Sequence, residues 1–400
     1  MTTQHSSGRD SQNSPRNNRY YTRKGYDSIQ KKSDSFRGKY GTAAEERLPP
    51  LSVVVIARNE ADRIDRCLDA VRTATEAFDS EVVVVDSNST DRTVERASDH
   101  PASVLRIPDD DLSAPAAGRY VGAAFAAGEQ VLFVDSDVVL ADGWLEAASR
   151  RLATAPNLAG VGGHLDEGEA TANDASETAD GDATEATETT GTTQTTEEVD
   201  WLHGVALYDA DALASVGGFD PFLRSLEDLH LGFELTREGY RLVQLPTVVG
   251  DHARDSATHL EPVRRWRRGF FHGVADALFR SASSPRLLVK HLETLRHSVA
   301  ANCWLLVGLA TLAAPPAFAV WLAISVVGVA AMAWTQGLVR TYELLTFWFL
   351  LFVAVATHDW RAPPGRDQYP LDRIECVKRG PGLQSRRARG RAFRRGSRTR

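Results

Sequence analysis

Two aspartates close a run that reads as a buried strand: Val131-Leu132-Phe133-Val134-Asp135-Ser136-Asp137. Residues i and i+2 of an extended chain project to the same side. Asp135 and Asp137 can therefore converge on one hard divalent cation, Mn²⁺ or Mg²⁺, which takes oxygen ligands and accepts diphosphate oxygens as the rest of its shell. Ser136 stands between them. His252, in Gly250-Asp251-His252 after a strand-like stretch from Val243 to Val249, is a candidate third metal ligand or diphosphate contact. By itself an Asp-x-Asp is equally well a polar strand end leading into a turn, so the surrounding elements must decide.

Two upstream strands end in the same manner. Leu51-Ser52-Val53-Val54-Val55-Ile56 runs into Ala57-Arg58-Asn59-Glu60, and Glu81-Val82-Val83-Val84-Val85 runs into Asp86-Ser87-Asn88-Ser89-Thr90-Asp91. A helix is expected after each, capped by Asn59 in the first case and by Thr90 or Asp91 in the second. A third helix is expected from Pro115 to Gly128. This β-α alternation predicts an α/β fold with a mainly parallel sheet flanked by helices. Ligands of such sheets bind at the carboxyl ends of the strands, where these polar clusters fall.

At these residues the chain resembles family-2 glycosyltransferases of the GT-A fold. The stretch from Ser52 to Glu60 is similar to the family's opening strand and turn, and Val85-Asp86-Ser87-Asn88-Ser89-Thr90-Asp91-Arg92-Thr93 to its second. Gly118-Arg119-Tyr120-Val121-Gly122 precedes the Asp-x-Asp at the family's usual interval. Val216-Gly217-Gly218-Phe219-Asp220 and Leu226-Glu227-Asp228-Leu229 look like its acceptor-side motifs. The resemblance spans roughly residues 50–270. It implies inverting, metal-dependent transfer of a sugar from a nucleotide diphosphate sugar, UDP- or GDP-linked, to a lipid-linked acceptor. Asp228 then looks like the general base, with Glu227 positioning the acceptor or taking that role.

On the donor side the expected contacts are Ala57, Arg58, Asn59 and Glu60 with the base or ribose, Asp86 and Ser87 with the same groups, and Asp135 and Ser136 with the diphosphate region. Arg119 can reach the diphosphate, and Arg265 with Trp266 can neutralise it or hold a lipid phosphate. Three positions depart from the family pattern: Ser87 stands for an Asp, Tyr120 for an Asn, and Pro262 for the Gln of the Gln-x-x-Arg-Trp motif of processive synthases. The last counts against a polymerase. A polyprenyl-phosphate sugar synthase and a non-catalytic nucleotide-sugar-binding scaffold are the alternatives. A nucleotidyltransferase is disfavoured, because the first turn lacks the Gly and Lys it would need.

The composition divides the 400 residues into segments. Residues 1–47 are polar without apolar periodicity and are expected to be a disordered tail. Residues 48–260 form the expected catalytic domain, interrupted by an acidic insertion at 166–200 with 12 acidic residues and no Lys or Arg. Residues 261–300 are basic and amphipathic, as an interfacial helix segment on anionic lipid would be. From Cys303 to Trp334 no residue is charged. As one helix this run would be about 48 Å long, against a hydrocarbon core of about 30 Å. With a further apolar run from Leu344 to Thr357, two or three crossings are expected within 301–358, two being favoured. Residues 359–400 are a basic tail, expected to be disordered: residues 361–400 carry a net +10, so the rest of the chain carries −17 of the total −7. By the positive-inside rule, tail and catalytic domain both face the cytoplasm of a multi-pass membrane protein. The acidic, Lys-poor body, with 6 Lys beside 40 Arg, fits a salt-loving archaeon. No nucleic-acid partner is expected, and Cys67, Cys303 and Cys376 have no metal or redox spacing.

Overall fold

A computed structural model describes residues 48–166, 195–252, 261–361 and 363–383. The expected tail over residues 1–47, most of the acidic insertion and residues 384–400 lie outside the described residues. So does the side chain of His252.

The sheet is built as the alternation predicts. Strand β1 (Leu51–Ala57) lies between β2 (Ser80–Asp86) and β4 (Gln130–Asp135), parallel to both, and β3 (Ser103–Arg106) extends β2 in parallel. Beyond β4 the sheet turns mixed. β8 (Ala206–Asp209) runs antiparallel to both β4 and β6 (Leu158–Asp166), β6 pairs in parallel with β9 (Arg241–His252), and β5 (Val138–Leu140) closes that edge against β9. Helices cover both faces. Alternate residues of β1 enter different cores: Val53 and Val55 on one side, Val54 on the other.

Three helices set the first strand ends. α1 (Ile64–Ala74) buries Ile64, Cys67, Leu68 and Val71, an i, i+3, i+4, i+7 stripe. α2 (Thr93–Asp99) has Arg92 rather than Thr90 or Asp91 at its cap position; Asp91 closes the turn before it, its Oδ1 accepting from Thr93 N at 3.0 Å. α3 (Pro115–Phe125) starts at its proline and stops three residues before Gly128. It lies so close to β1 that a Cβ at Gly122 would be 2.1 Å from Val54 Cγ1. The first helix departs from expectation. Asn59 does not cap it; α1 begins at Ile64. Asn59 instead takes a left-handed conformation (φ 57°), and its Oδ1 accepts from Thr90 N at 2.8 Å. The polar side chain is spent joining two strand-end loops rather than starting a helix.

Past β5, α4 (Trp144–Thr154) packs on β6. β7 (Glu197–Val199) pairs antiparallel with β9, so the end of the expected 166–200 insertion is part of the sheet. Then come α5 (Ala210–Ser215), α6 (Glu227–Arg237), α7 (Glu261–Arg267), α8 (Phe270–Ser281) and α9 (Pro285–Thr294). The apolar region folds as α10 (Arg296–Thr311), α11 (Pro315–Gln336) and α12 (Leu338–Ala356). Trp304 of α10 and Trp321 of α11 stack at 6.0 Å, and Trp304 Nε1 donates to Ser325 Oγ. α12 buries Leu351 and Ala354 with Phe271, Val274 and Leu295. α11 and α12 are long and apolar enough to cross a membrane; α11 has no buried residue.

The carboxyl-terminal expectation needs correction. Residues 363–383 return to the catalytic domain. β10 (Glu375–Lys378) adds antiparallel to the exposed edge of β3, with Cys376 opposite Leu105. Lys378 Nζ donates to the carbonyls of Ser98 and His100 at the end of α2. Tyr369 is buried against Tyr120 and Phe222. Tail charge had pointed to disorder, but the basic residues concentrate beyond residue 383. The described part carries Tyr369, Leu371 and Ile374 for core packing.

Candidate active site

The register of the parallel strands aligns three ends. Ala57 lies opposite Asp86, and Ile56 opposite Asp135. The ladder continues one residue further on each side, through Ser87 N to Ala57 O at 2.9 Å and Ser136 N to Ile56 O at 3.1 Å. The first turn, the second turn and the Asp-x-Asp therefore edge one crevice.

The first two turns are tied to each other by their own side chains. Asn59 N donates to Ser89 Oγ, Glu60 N to Thr93 Oγ1 and Ala61 N to Asp91 Oδ2. These residues scaffold the loops. Asp86 lies beneath them, buried, with Oδ2 accepting from Ser89 N at 2.9 Å and Oδ1 holding no hydrogen-bond partner. Burial pushes its carboxyl up, while Ser89 and Arg106 oppose this. A ring N–H or a ribose hydroxyl would satisfy that orphan oxygen. Arg58 reaches across the crevice mouth to Asp110 at 2.9 Å, an exposed pair, and Asp110 also accepts from Asn88.

Arg119 occupies the centre of the site. Its side chain is 4% exposed and faces three carboxylates: Asp135 at 2.9 Å, Glu227 at 3.0 Å and Asp228 at 3.9 Å. Its guanidinium also lies over the Phe219 ring at 5.7 Å. Arg119, which the sequence offers as a diphosphate contact, is tied here to the acids. It joins a strand-end carboxylate to two at the start of α6. Asp228 is pushed up to about 7 by burial, with Glu227 and Asp135 adding to the rise and Arg119 opposing it. Three carboxylates around one guanidinium leave this part of the crevice negative. Asp137 belongs to the same field, because after burial its charge, then those of Asp135 and Glu60, push the Cys67 thiol up.

This donor set fits a hard divalent cation. Asp135 ends β4 and Asp137 stands in the turn before β5, in an acid-rich crevice. Among the described residues no three His, Cys, Asp or Glu side chains already surround one ion point. Residue 252 pairs with Val138 through the backbone, next to Asp137.

Other site expectations fall elsewhere. Arg265 lies over the Phe270 ring at 5.3 Å, and Trp266 packs against Phe271 and His272 beside the apolar helices. Asp220 is turned into a buried ion pair with Arg280 at 2.7 Å, while its neighbour Phe219 packs on Phe133 and Tyr208.

Sequence reading missed two residues. Leu226 caps α6 in a left-handed conformation (φ 58°), a strained setting for a bulky residue directly before Glu227 and Asp228. Gly204 lies against the acids: a Cβ there would be 2.5 Å from Asp135 Oδ2 and 3.1 Å from Arg119 Nη2. Its only sequence signal is a glycine just ahead of a strand. Gly204→Ala should displace Asp135 and cut turnover by roughly tenfold or more, since 1 Å misplacements at a reacting centre cost up to about 10². Melting temperature should change little. Parallel turnover and melting measurements test this, and an alanine variant with undiminished turnover would show that the close approach is unimportant.

Residues 52–199 match Glycosyl transferase family 2. The chain is 28% identical over 211 residues to glycosyltransferase AglE of Haloferax volcanii, covering 51% of this chain and 67% of AglE. It is 30% identical over 99 residues to 4,4'-diaponeurosporenoate glycosyltransferase of Staphylococcus haemolyticus, covering 24% of this chain and 26% of that protein. Among solved structures, the mannosyltransferase PcManGT from Pyrobaculum calidifontis, in complex with GDP-Man and Mn²⁺, aligns over 83% of this chain and 96% of its own at 19% identity, with a TM-score of 0.49. The family match runs from the second residue of β1 to the last of β7, across the strands that carry Asp86 and Asp135.

Proposed function

We propose that the chain transfers a sugar from a UDP- or GDP-linked donor to a lipid-linked acceptor at a membrane, with inversion. The observation that carries this reading is the Arg119-centred cluster, which holds the Asp-x-Asp strand end and the carboxylates of α6 in one crevice. Asp86 takes the base or ribose through its free Oδ1, with the Ala57–Glu60 turn beside it. Asp135 and Asp137 would hold a divalent cation, Mn²⁺ or Mg²⁺, which when bound stabilises charge on the leaving diphosphate. Asp228 accepts the proton of the acceptor hydroxyl as its oxygen attacks C1 of the sugar, and Glu227 orients that hydroxyl. A base held near pH 7 suits that transfer. His252, whose backbone pairs with Val138 beside Asp137, would be the third ligand of that cation. Arg264, Arg265, Arg267 and Arg268 bring positive charge to the same end as the apolar helices, as a phosphate-bearing lipid requires.

Lipid is the solvent that α11 calls for, since it is uncharged, mostly apolar and buries no residue. The chain enters α10 from the catalytic domain and, after α12, pairs with the edge of the same sheet. An even number of crossings is the arrangement that returns it, and α11 with one of its two neighbours supplies two. Catalytic domain and Arg-rich tail then share the cytoplasmic face.

Incubating membrane fractions with individual UDP- and GDP-sugars and scoring nucleotide diphosphate release tests the reaction. Absence of release from every donor would sink it. Metal binding has a separate readout. Mn²⁺ at about a hundred times its dissociation constant should stabilise the folded chain by about 2.7 kcal/mol. EDTA should abolish both that shift and turnover, and Asp137→Ala should abolish the shift. A metal-independent melting curve and EDTA-resistant turnover would contradict the assignment.

A further inference from the structure

The segment that follows the last apolar helix is built into the acceptor side of the catalytic domain. Arg366 donates to Val216 O and to Glu234 Oε2, and its Nε lies 3.8 Å from Asp220 Oδ2. Asp220 in turn pairs with Arg280 of α8 at 2.7 Å, and Arg280 donates to Pro364 O at 3.2 Å. Two carboxylates and two guanidinium groups thus balance one another, largely buried, where α6, α8 and the returning chain meet. Tyr120, on the helix that carries Arg119, donates its hydroxyl to Arg366 O at 3.2 Å. Tyr369 anchors the segment again by donating to Leu112 O at 3.0 Å. Gly217, in a left-handed conformation (φ 83°), leaves room: a Cβ there would be 3.2 Å from Arg366 Nη1.

Glu234 and Glu227 are seven residues apart on α6, two turns along one face. A clamp at Glu234 therefore fixes the axial rotation and depth of the helix whose first turn presents Glu227 and Asp228. Leu226 needs such a clamp, because its strained backbone persists only while surrounding structure holds it.

We infer that Arg366 is a positioning residue for the transfer reaction: with residues 363–383 it clasps α6 against α8, so that placement of Asp228 depends on a segment beyond the membrane helices. This rests on the glycosyltransferase reading of Asp228, and the test separates the two. Full-length wild-type, Arg366→Ala and Arg366→Lys proteins in nanodiscs are compared by hydrogen exchange and by nucleotide diphosphate release from whichever UDP- or GDP-sugar the wild type consumes. In Arg366→Ala, the α6 amides from Leu229 to Phe233 should exchange about tenfold faster, with β1 and β4 unchanged, as local opening predicts. Turnover should fall about tenfold to a hundredfold at an unchanged donor KM, the loss expected of a misplaced reacting group. Lys keeps one charge and should restore most of both. If Arg366→Ala does not fold, Arg366→Lys carries the test through the same two readouts at smaller amplitude. Unchanged α6 exchange and turnover in a folded variant, or equal acceleration across β1, β4 and α6, would overturn the clasp. A wild type that consumes no donor would overturn the reaction instead, while the exchange comparison still decides the clasp.

Discussion

Asp228→Asn should lower turnover by about 10²–10⁴-fold, the usual contribution of a positioned general base, while nucleotide-sugar affinity stays close to wild type. The change is nearly isosteric, and it removes proton acceptance together with the negative charge that faces Arg119 at 3.9 Å. The sign of the accompanying stability change follows from the carboxyl's position. Burial raises Asp228 to about 7, above its unfolded value, so the cost of ionising it in the folded state builds from the ordinary carboxyl range up to about pH 7 and is fully present above that. Asn carries no such cost, and the variant should melt no lower than wild type at pH 8. Turnover of the wild type should show the same group. It should fall about tenfold per pH unit below an apparent value near 7, because only the ionised carboxylate accepts a proton, and this acid limb should vanish in Asp228→Asn. The acceptor class is read from the same variant. A hydroxyl nucleophile must lose a proton; a phosphate nucleophile is already anionic, and its loss should be much smaller. Lost donor binding with unchanged turnover of the bound complex would move Asp228 to the donor site.

Legibility followed how local the determinants are. Runs such as Val53–Ile56 and Val131–Val134 announce buried strands, and each ends on residues that the parallel register must bring together. The placement of Asp86 and Asp135 at one sheet edge was readable for that reason. The α/β architecture, with its parallel strands at β3, β2, β1 and β4, came with them. What side chains do across the crevice was not readable. Asn59 looked like a cap because a cap needs only a backbone N–H two or three residues on, whereas its actual partner is Thr90, 31 residues away. Arg119 was assigned to a phosphate because helix-borne Arg often reaches one; its carboxylate partners at 227 and 228 are more than a hundred residues distant. The return of residues 363–383 was hidden by the charge of residues 384–400, which dominates any average over the tail. Composition reports on a window, but Tyr369 and Arg366 act one at a time. Asp220 illustrates the same limit in reverse. Its motif placed it beside the acceptor, but the ion pair with Arg280 turns it toward α8.

Arg119 is where donor and acceptor halves are tied, and its removal should show at both. Arg119→Ala leaves Asp135, Glu227 and Asp228 facing one another without their shared cation. Breaking a buried ion pair by deleting one partner costs about 3–5 kcal/mol. Asp135 is 36% exposed on its side chain, so the lower end of that range is expected. The melting temperature should therefore drop clearly, but the fold should survive. Turnover at pH 7 should fall by more than about 10³-fold, because base and cation site are both misplaced. The diagnostic is the pH profile. Arg119 is the group that opposes the rise of Asp228, so without it the carboxyl moves further up, and the acid limb should shift to higher pH. Part of the lost turnover should return at pH 9. Arg119→Lys keeps a charge but offers one ammonium where the guanidinium faces three carboxylates. It should melt between wild type and Arg119→Ala, with an acid limb displaced less. An acid limb that stays near pH 7 in Arg119→Ala would mean that Arg119 does not set the proton affinity of the base, and that the cluster holds the two halves together without tuning their chemistry.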